Sequence, residues 1–188
     1  MPRDQRERSA WPVSAASVPE AEVPVAGVPV PAVPGEPSIS AWLAANRLAS
    51  ARLAVPVAFS ELFGWLASQG ITPAGPPFIR YLVIDMAGEL QVEMAVPVAA
   101  PITASGRIQP GTLPGGRYAV LRHTGPYDGL IASNAALLRW GQEQGIEFDT
   151  WDTAQGSAWR SRAEHYLTDP SQEPDPAKLE TDVAFLIA

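Results

Sequence analysis

The chain has 188 residues, a formal net charge of -7, 46% hydrophobic residues, six tryptophans and no cysteine. This length suits one domain with a sizeable core, and the lack of cysteine excludes disulfides, thiolate nucleophiles and cysteine-based metal sites. The acidic charge, without any basic cluster, argues against direct binding to nucleic acid and against attachment to an anionic membrane.

The first part of the chain is poor in regular patterns. Residues 1–20 are polar and rich in Ala and Ser, so we expect a flexible leader followed by one domain over residues 21–188. Valine and proline alternate in Val23–Val33, which predicts an edge strand or an extended polyproline-like segment because proline cannot donate to a strand ladder. Ser38 is expected to cap a helix that Pro56 interrupts.

A second helix of the first half is predicted from an apolar stripe at helical spacing, formed by Phe59, Leu62, Phe63 and Leu66. Gly70 is expected to end this helix. Alternating apolar residues then predict two strands, Phe78–Asp85 and Leu90–Val98, which the short Met-Ala-Gly connection between them would join as a hairpin.

The second half repeats this order of elements. The pattern predicts a strand over Arg117–His123, a helix over Tyr127–Gln144 that ends at Gly145, and two closing strands, Ala158–Leu167 and Thr181–Ile187. Each half therefore has the order strand, helix, strand, strand.

Matching residues indicate an internal duplication. The run from Leu62 to Trp65 with a Gln-Gly-Ile at its helix end aligns without a gap on the run from Leu137 to Trp140 with a second Gln-Gly-Ile. We therefore expect an α+β fold of two pseudo-symmetric βαββ repeats, about 22–105 and about 106–188. Two such halves leave a central cleft, which is where small ligands usually bind.

One block of sequence is more specific than any periodicity. Residues 106–128, GRIQPGTLPGGRYAVLRHTGPYD, place a strand between two glycine turns ahead of a helix. Together with the Glu164-His165-Tyr166 triplet and the closing Thr181-Asp182-Val183, this block resembles the GyrI-like family over roughly residues 22–187. The resemblance implies paired SH2-like βαββ repeats around a cleft. Its members are effector domains of multidrug-sensing regulators, free-standing binding proteins, or hydrolases of cyclopropanoid compounds.

The resemblance also implies a site at Glu164, the position that corresponds to a glutamate held in an aromatic pocket. On a strand over residues 158–167, strand alternation places Tyr166, Arg160 and Arg162 on the face of Glu164, and Trp159, Ala163 and Leu167 on the other. The alternative is an exposed face on which Glu164 pairs with one of the two arginines.

Further candidates for ligand binding are Tyr81, which duplicates Tyr166, together with Trp140, Trp65 and Glu93. His123 and His165 are too far apart in sequence to suggest a metal site, and we expect both to be structural and the protein to need no metal or cofactor. His165 should face away from Glu164.

Three functions stay open at this stage. The first is a stand-alone protein, a monomer or a homodimer, that binds lipophilic cationic or drug-like molecules through an ionised Glu164 and aromatic rings. The second is a hydrolase of strained or electrophilic molecules that uses Glu164 and Tyr166 as catalytic residues. The third is an inhibitory protein-interaction module. With no long apolar run and no signal peptide, the expected location is the cytoplasm.

Overall fold

The computed structural model describes residues 13–18, 22–34, 49–85 and 89–188. The predicted cap at Ser38, the first part of its helix and the connection at 86–88 lie outside the described residues. Within these ranges the elements are two helices and ten strands: β1 (Val13–Val18), β2 (Val23–Pro34), α1 (Ala49–Ser68), β3 (Phe78–Ile84), β4 (Glu89–Pro97), β5 (Gln109–Leu113), β6 (Gly116–Thr124), α2 (Leu130–Glu143), β7 (Thr150–Thr153), β8 (Gly156–Trp159), β9 (Arg162–Tyr166) and β10 (Glu180–Leu186). Short 3-10 turns occupy Tyr127–Gly129 and Pro176–Lys178.

The described strands form one antiparallel sheet in the order β1-β6-β10-β9-β3-β4-β2-β5, and the hairpin β7-β8 joins it beside β3. The predicted α+β class is confirmed. β9 and β3 lie side by side near the middle, each followed outward by the third and then the first strand of its own half. Two βαββ units that share a central strand pair would give this order, while the residue-by-residue equivalence of the halves stays a prediction.

Both helices pack on the same face of the sheet. Leu62 and Leu66 of α1 lie in a cluster with Ile79 of β3, and Leu137 of α2 lies in a second cluster with Val183 of β10. Ile79 and Val183 are the cross-strand partners of one residue of β9, so they point to the same side. Among the described residues no helix is long and apolar enough to cross a membrane.

The C-terminal ends of α1 and α2 lie where the sequence predicted them, just before Gly70 and Gly145. Gly70 and Gly145 have φ angles of 67° and 65°, a conformation that favours glycine. In each case the residue after the glycine donates its backbone N–H to the carbonyl five residues earlier, at 2.9 Å. This hydrogen bond is typical of the Schellman motif that ends helices.

Pro56 does not interrupt the first helix as we expected. α1 continues through it from Ala49 to Ser68. A proline inside a helix removes one hydrogen bond and costs about 3 kcal/mol. The buried side chains of Ala58, Leu62 and Leu66, which follow on the same helix, supply the packing that offsets this cost.

Two expectations for the first 35 residues also need correction. Val13–Val18 is not part of a flexible leader, because it forms β1 and pairs with β6 along its whole length. Val23–Gly27 is not at an edge, because β5 pairs with it on the side away from β4. Beyond that point β2 pairs with β4 alone among the described strands, so Pro29 lies where a missing donor is tolerated.

The predicted strand over residues 158–167 is broken into β8 and β9. Arg160, between them, is mostly exposed, contacts the Asp149 carboxylate at 3.6 Å and donates its backbone N–H to the Asp149 carbonyl at 2.9 Å. The break resets the alternation of side chains. Arg160 therefore points away from the face of Glu164 and lies over Trp151. Trp159 points to the face of Glu164, where it contacts Arg162.

Candidate functional site

Glu164 lies at the centre of the sheet, on β9, with Ile79 of β3 and Val183 of β10 as its cross-strand partners. Its side chain is 0% exposed and points to the face that carries the helices. The alternative of an exposed residue in a surface ion pair is therefore wrong. A carboxylate in this position must be satisfied by protein groups, since water does not reach it.

Three hydrogen-bond donors hold the Glu164 carboxylate. The Asn134 side-chain amide of α2 donates to Oε1 at 2.8 Å, and the Tyr166 hydroxyl donates to Oε2 at 3.2 Å. The Tyr81 side chain also hydrogen-bonds to this carboxylate. The structure thus brings together Glu164, Tyr166 and Tyr81, which the sequence proposed, and adds Asn134.

Burial dominates the ionisation of this cluster. It raises the pKa of Glu164, because the apolar surroundings oppose a charge; the hydrogen bonds from Asn134, Tyr166 and Tyr81 and the positive charge of Arg162 act in the opposite direction without cancelling it. Burial, followed by the nearby carboxylate, raises the pKa of Tyr166 well above its ordinary value. The tyrosine therefore keeps its proton and remains a donor.

Arg162 lies two residues before Glu164 on the same strand. Its guanidinium carbon is 4.6 Å from the ring centre of Phe185, 4.9 Å from that of Trp159 and 5.7 Å from that of Tyr81. Its Nη2 donates to the Asn134 carbonyl oxygen at 3.0 Å. Burial lowers the pKa of Arg162 to about 10, so the group stays charged at neutral pH.

Aromatic rings continue the site toward the surface. Tyr127 and Phe59 each meet Tyr166 edge to face, with ring centres 5.4 and 6.4 Å apart. Phe59 comes from α1 and Tyr127 precedes α2, and all three rings are partly exposed, as is Arg162. The buried carboxylate thus lies directly beneath partly accessible aromatic groups between the two helices.

The two tryptophan candidates, Trp65 and Trp140, come from the two helices. Trp65 borders an open groove of about 650 Å³ at the end of α1, lined also by Gln69, Ile71, Thr72 and residues 99–105. Trp140 is partly buried against the core under α2. Trp65 packs against the same core cluster as Phe59 and Tyr166, and Trp140 against the same cluster as Tyr127, so a role for either in ligand binding stays a prediction.

Glu93 lies on the opposite face of the sheet, which corrects its expected place in the cleft. Its neighbours Val92 and Met94 pack under α1, so strand alternation points Glu93 the other way. There its Oε2 accepts hydrogen bonds from Arg80 Nε at 3.0 Å and Nη2 at 2.5 Å. This ion pair is mostly buried and lies on the side of the sheet away from Glu164.

Both histidines have structural surroundings. His123 contacts the Ser133 hydroxyl at 3.0 Å and the Pro126 carbonyl at 2.9 Å through its two ring nitrogens. The His165 ring packs against the ring of Phe78, with ring centres 4.9 Å apart. It lies on the face opposite Glu164, as expected. Burial lowers the pKa of His165 to about 4.

Sequence reasoning missed Asn134, Phe59, Tyr127 and Phe185 as parts of the site. For Asn134 a signal was present. It lies four residues after Leu130 and three before Leu137, so the spacing puts it on the buried stripe of α2. A buried amide in an apolar stripe needs a polar partner, which here is Glu164.

Comparison with known proteins confirms the family that the sequence resembles. The family model described as GyrI-like small molecule binding domain matches residues 45–188. No curated protein sequence matches the chain significantly.

Several solved structures share the fold. The EcmrR C-terminal domain is 17% identical, with a TM-score of 0.65 over 95% of this chain and 98% of that one. A hydrolase from Listeria innocua is 17% identical, with a TM-score of 0.56 over 94% of this chain and 91% of that one. SAV2435 bound to tetraphenylphosphonium is 11% identical, with a TM-score of 0.53 over 95% of this chain and 93% of that one. In an EcmrR–DNA complex the chain spans 57% of the EcmrR chain.

Proposed function

Because the chain belongs to the family of GyrI-like small molecule binding domains, we propose that it binds a small organic molecule between α1 and α2, anchored at Glu164. We propose further that this ligand is a lipophilic, cationic or drug-like compound, as the sequence leads us to expect.

The observation that carries the proposal is the buried carboxylate itself. An apolar side chain at the centre of a sheet would pack without needing partners, whereas a buried charge costs several kcal/mol unless it is well compensated. Glu164 engages Asn134, Tyr166 and Tyr81 instead of an apolar contact. Strongly perturbed carboxyl groups beneath aromatic rings are typical of binding sites.

The surroundings of Glu164 favour a ligand with a large apolar body. Partly exposed rings of Phe59, Tyr127 and Tyr166 can stack on such a body, and an ionised carboxylate below them attracts a cationic or hydrogen-donating group. A protein of the same fold, SAV2435, has been solved with tetraphenylphosphonium, which is a lipophilic cation of this kind. We therefore choose tetraphenylphosphonium as the probe.

The test is the substitution Glu164→Gln, which keeps the shape of the side chain and removes its charge. If Glu164 is the anchor, the affinity for tetraphenylphosphonium should fall by about 5- to 150-fold, the equivalent of about 1–3 kcal/mol for a charge-assisted contact. Isothermal titration calorimetry measures this change. Uncharged triphenylphosphine oxide should bind the two proteins about equally.

The matched control is Glu93→Gln, which removes a carboxylate from the opposite face of the sheet. Its affinity for tetraphenylphosphonium should equal that of the wild type, because Glu93 pairs with Arg80 away from the helices. Equal affinities for the wild type and Glu164→Gln would contradict the proposal.

A hydrolase is the second candidate, and the raised pKa of Glu164 favours it. A carboxyl group with a raised pKa keeps its proton to a higher pH than usual, which suits a general acid, and the Tyr166 hydroxyl at 3.2 Å can orient a water molecule. The same substitution separates the two functions. In an enzyme, Glu164→Gln would leave substrate affinity nearly unchanged and lower turnover by roughly 100-fold or more.

A further inference from the structure

The rings beside Glu164 already hold a cation. The Arg162 guanidinium lies against three rings from three different strands, Phe185 on β10, Trp159 on β8 and Tyr81 on β3, all within 5.7 Å. Cation–π attraction acts at such distances, most strongly where water is excluded. A lipophilic cation that approached Glu164 would need ring faces of the same kind.

Arg162 is also linked to the Glu164 carboxylate, through the side chain of Asn134. Asn134 accepts a hydrogen bond from Arg162 Nη2 at 3.0 Å and donates one to Glu164 Oε1 at 2.8 Å. A single amide therefore links the positive and the negative group. Because the two charges are opposite, the buried pair presents little net charge to an incoming molecule.

The hydrogen bonding of the Arg162 guanidinium is incomplete. A guanidinium has five N–H donors, and the buried Nε of Arg162 has no hydrogen-bond partner among the described residues. Arg162 is partly exposed as a residue, so it lies next to solvent even though its Nε is buried. An arginine with one unsatisfied buried N–H donor can leave this place at lower cost than one whose donors are all hydrogen-bonded.

We infer that Arg162 is a resident cation that occupies the Glu164 site in the absence of ligand and that a cationic ligand must displace. Arg162 is then the residue that sets the charge preference of the site. The charge of Arg162 offsets that of Glu164 and weakens the preference of the site for cationic over uncharged molecules of similar shape. Removing the charge of Arg162 strengthens this preference. This inference rests on the proposed function.

The test compares the same substitution at two arginines. Arg162→Met removes the charge and keeps a long unbranched chain that packs well against aromatic rings. Arg160→Met removes the same charge from an exposed side chain that points away from the face of Glu164, and it serves as the control. By calorimetry, Arg162→Met should bind tetraphenylphosphonium at least tenfold more tightly than the wild type, and Arg160→Met should stay within about threefold of it. Triphenylphosphine oxide should bind all three proteins about equally.

A tetraphenylphosphonium affinity for Arg162→Met that equals or falls below that of the wild type would overturn the inference. If the wild-type affinity still depends on Glu164, the proposed function survives this outcome. An affinity that is independent of Glu164 would instead remove the proposed function.

A second measurement on the intact wild type does not depend on the folding of a variant. The three rings should shift the Arg162 Nε–H proton resonance away from its ordinary position. Adding tetraphenylphosphonium should return this resonance toward the ordinary position as Arg162 leaves the rings. A resonance that does not move while the ligand saturates the protein would also overturn the inference.

Discussion

At the residue scale, Asn134 organises the polar groups of the site. Its amide nitrogen donates to the Leu130 carbonyl at 2.9 Å and to Glu164 at 2.8 Å, and its oxygen accepts from Arg162 at 3.0 Å. Both N–H donors of the amide and one of its two acceptor positions are thus in use. Asn134 fixes the distance between the two charges without having a charge of its own.

The raised pKa of Glu164 predicts how stability depends on pH. The unfolded chain releases this proton at a lower pH than the folded protein. The stability contributed by the protonated carboxyl is therefore fully present below the unfolded pKa, and it is lost as the pH rises through the folded pKa. We expect Glu164→Gln to gain stability relative to the wild type as the pH rises from about 4.5, by at most about 1.4 kcal/mol per pH unit.

Denaturant unfolding of both proteins between about pH 4 and pH 8 measures this difference. His165 changes stability in the opposite direction over this range, because its pKa of about 4 makes the folded protein lose stability as the pH falls. It is present in both proteins and cancels in the difference. A difference that does not change with pH would show that the folded protein does not perturb Glu164.

Single residues of the site were predictable to the extent that their signals are local. Glu164, Tyr166 and Tyr81 follow from the sequence and the resemblance, and the structure brings them together. The stacking of Arg162 on Trp159 and Phe185 was not predictable, since it depends on three strands meeting in space. Glu93 was misplaced because its own strand alternation was not compared with that of Glu164.

At the element scale, local signals gave the helix ends and tertiary contacts decided the strand breaks. Gly70 and Gly145 end α1 and α2 because a left-handed residue is needed there. The break at Arg160 depends instead on Asp149, eleven residues earlier, which no periodicity within residues 158–167 reports. For the same reason β1 was missed: its pairing partner, β6, is about 100 residues away in the chain.

The pairing of β1 leads to a prediction about truncation. Deleting residues 1–18 removes the strand that pairs with the outer side of β6. We expect the melting temperature to fall by about 2–8 °C, which corresponds to about 1–2 kcal/mol for a chain of this size. Differential scanning calorimetry measures it, with a protein lacking only residues 1–12 as the control. Identical melting temperatures for the two truncations would contradict a stabilising role for β1.

At the scale of the whole molecule, the sheet separates two charged pairs on its two faces. Glu164 and Arg162 lie under the helices, where partly exposed rings lead to the surface. Glu93 and Arg80 lie on the other face, where Arg80 donates two hydrogen bonds to the Glu93 carboxylate. The order of strands from the centre outward, β9 and β3 first, puts Glu164 next to the boundary of the two halves. A ligand held there would contact both halves at once.

The most direct test of this account is a crystal structure of the protein grown with tetraphenylphosphonium. We expect the ligand between α1 and α2, with a phenyl group against Tyr166 and its positive phosphorus nearer to the Glu164 carboxylate than to any other acidic group. Density for the ligand in the groove beside Trp65, with the surroundings of Glu164 unchanged, would contradict the account.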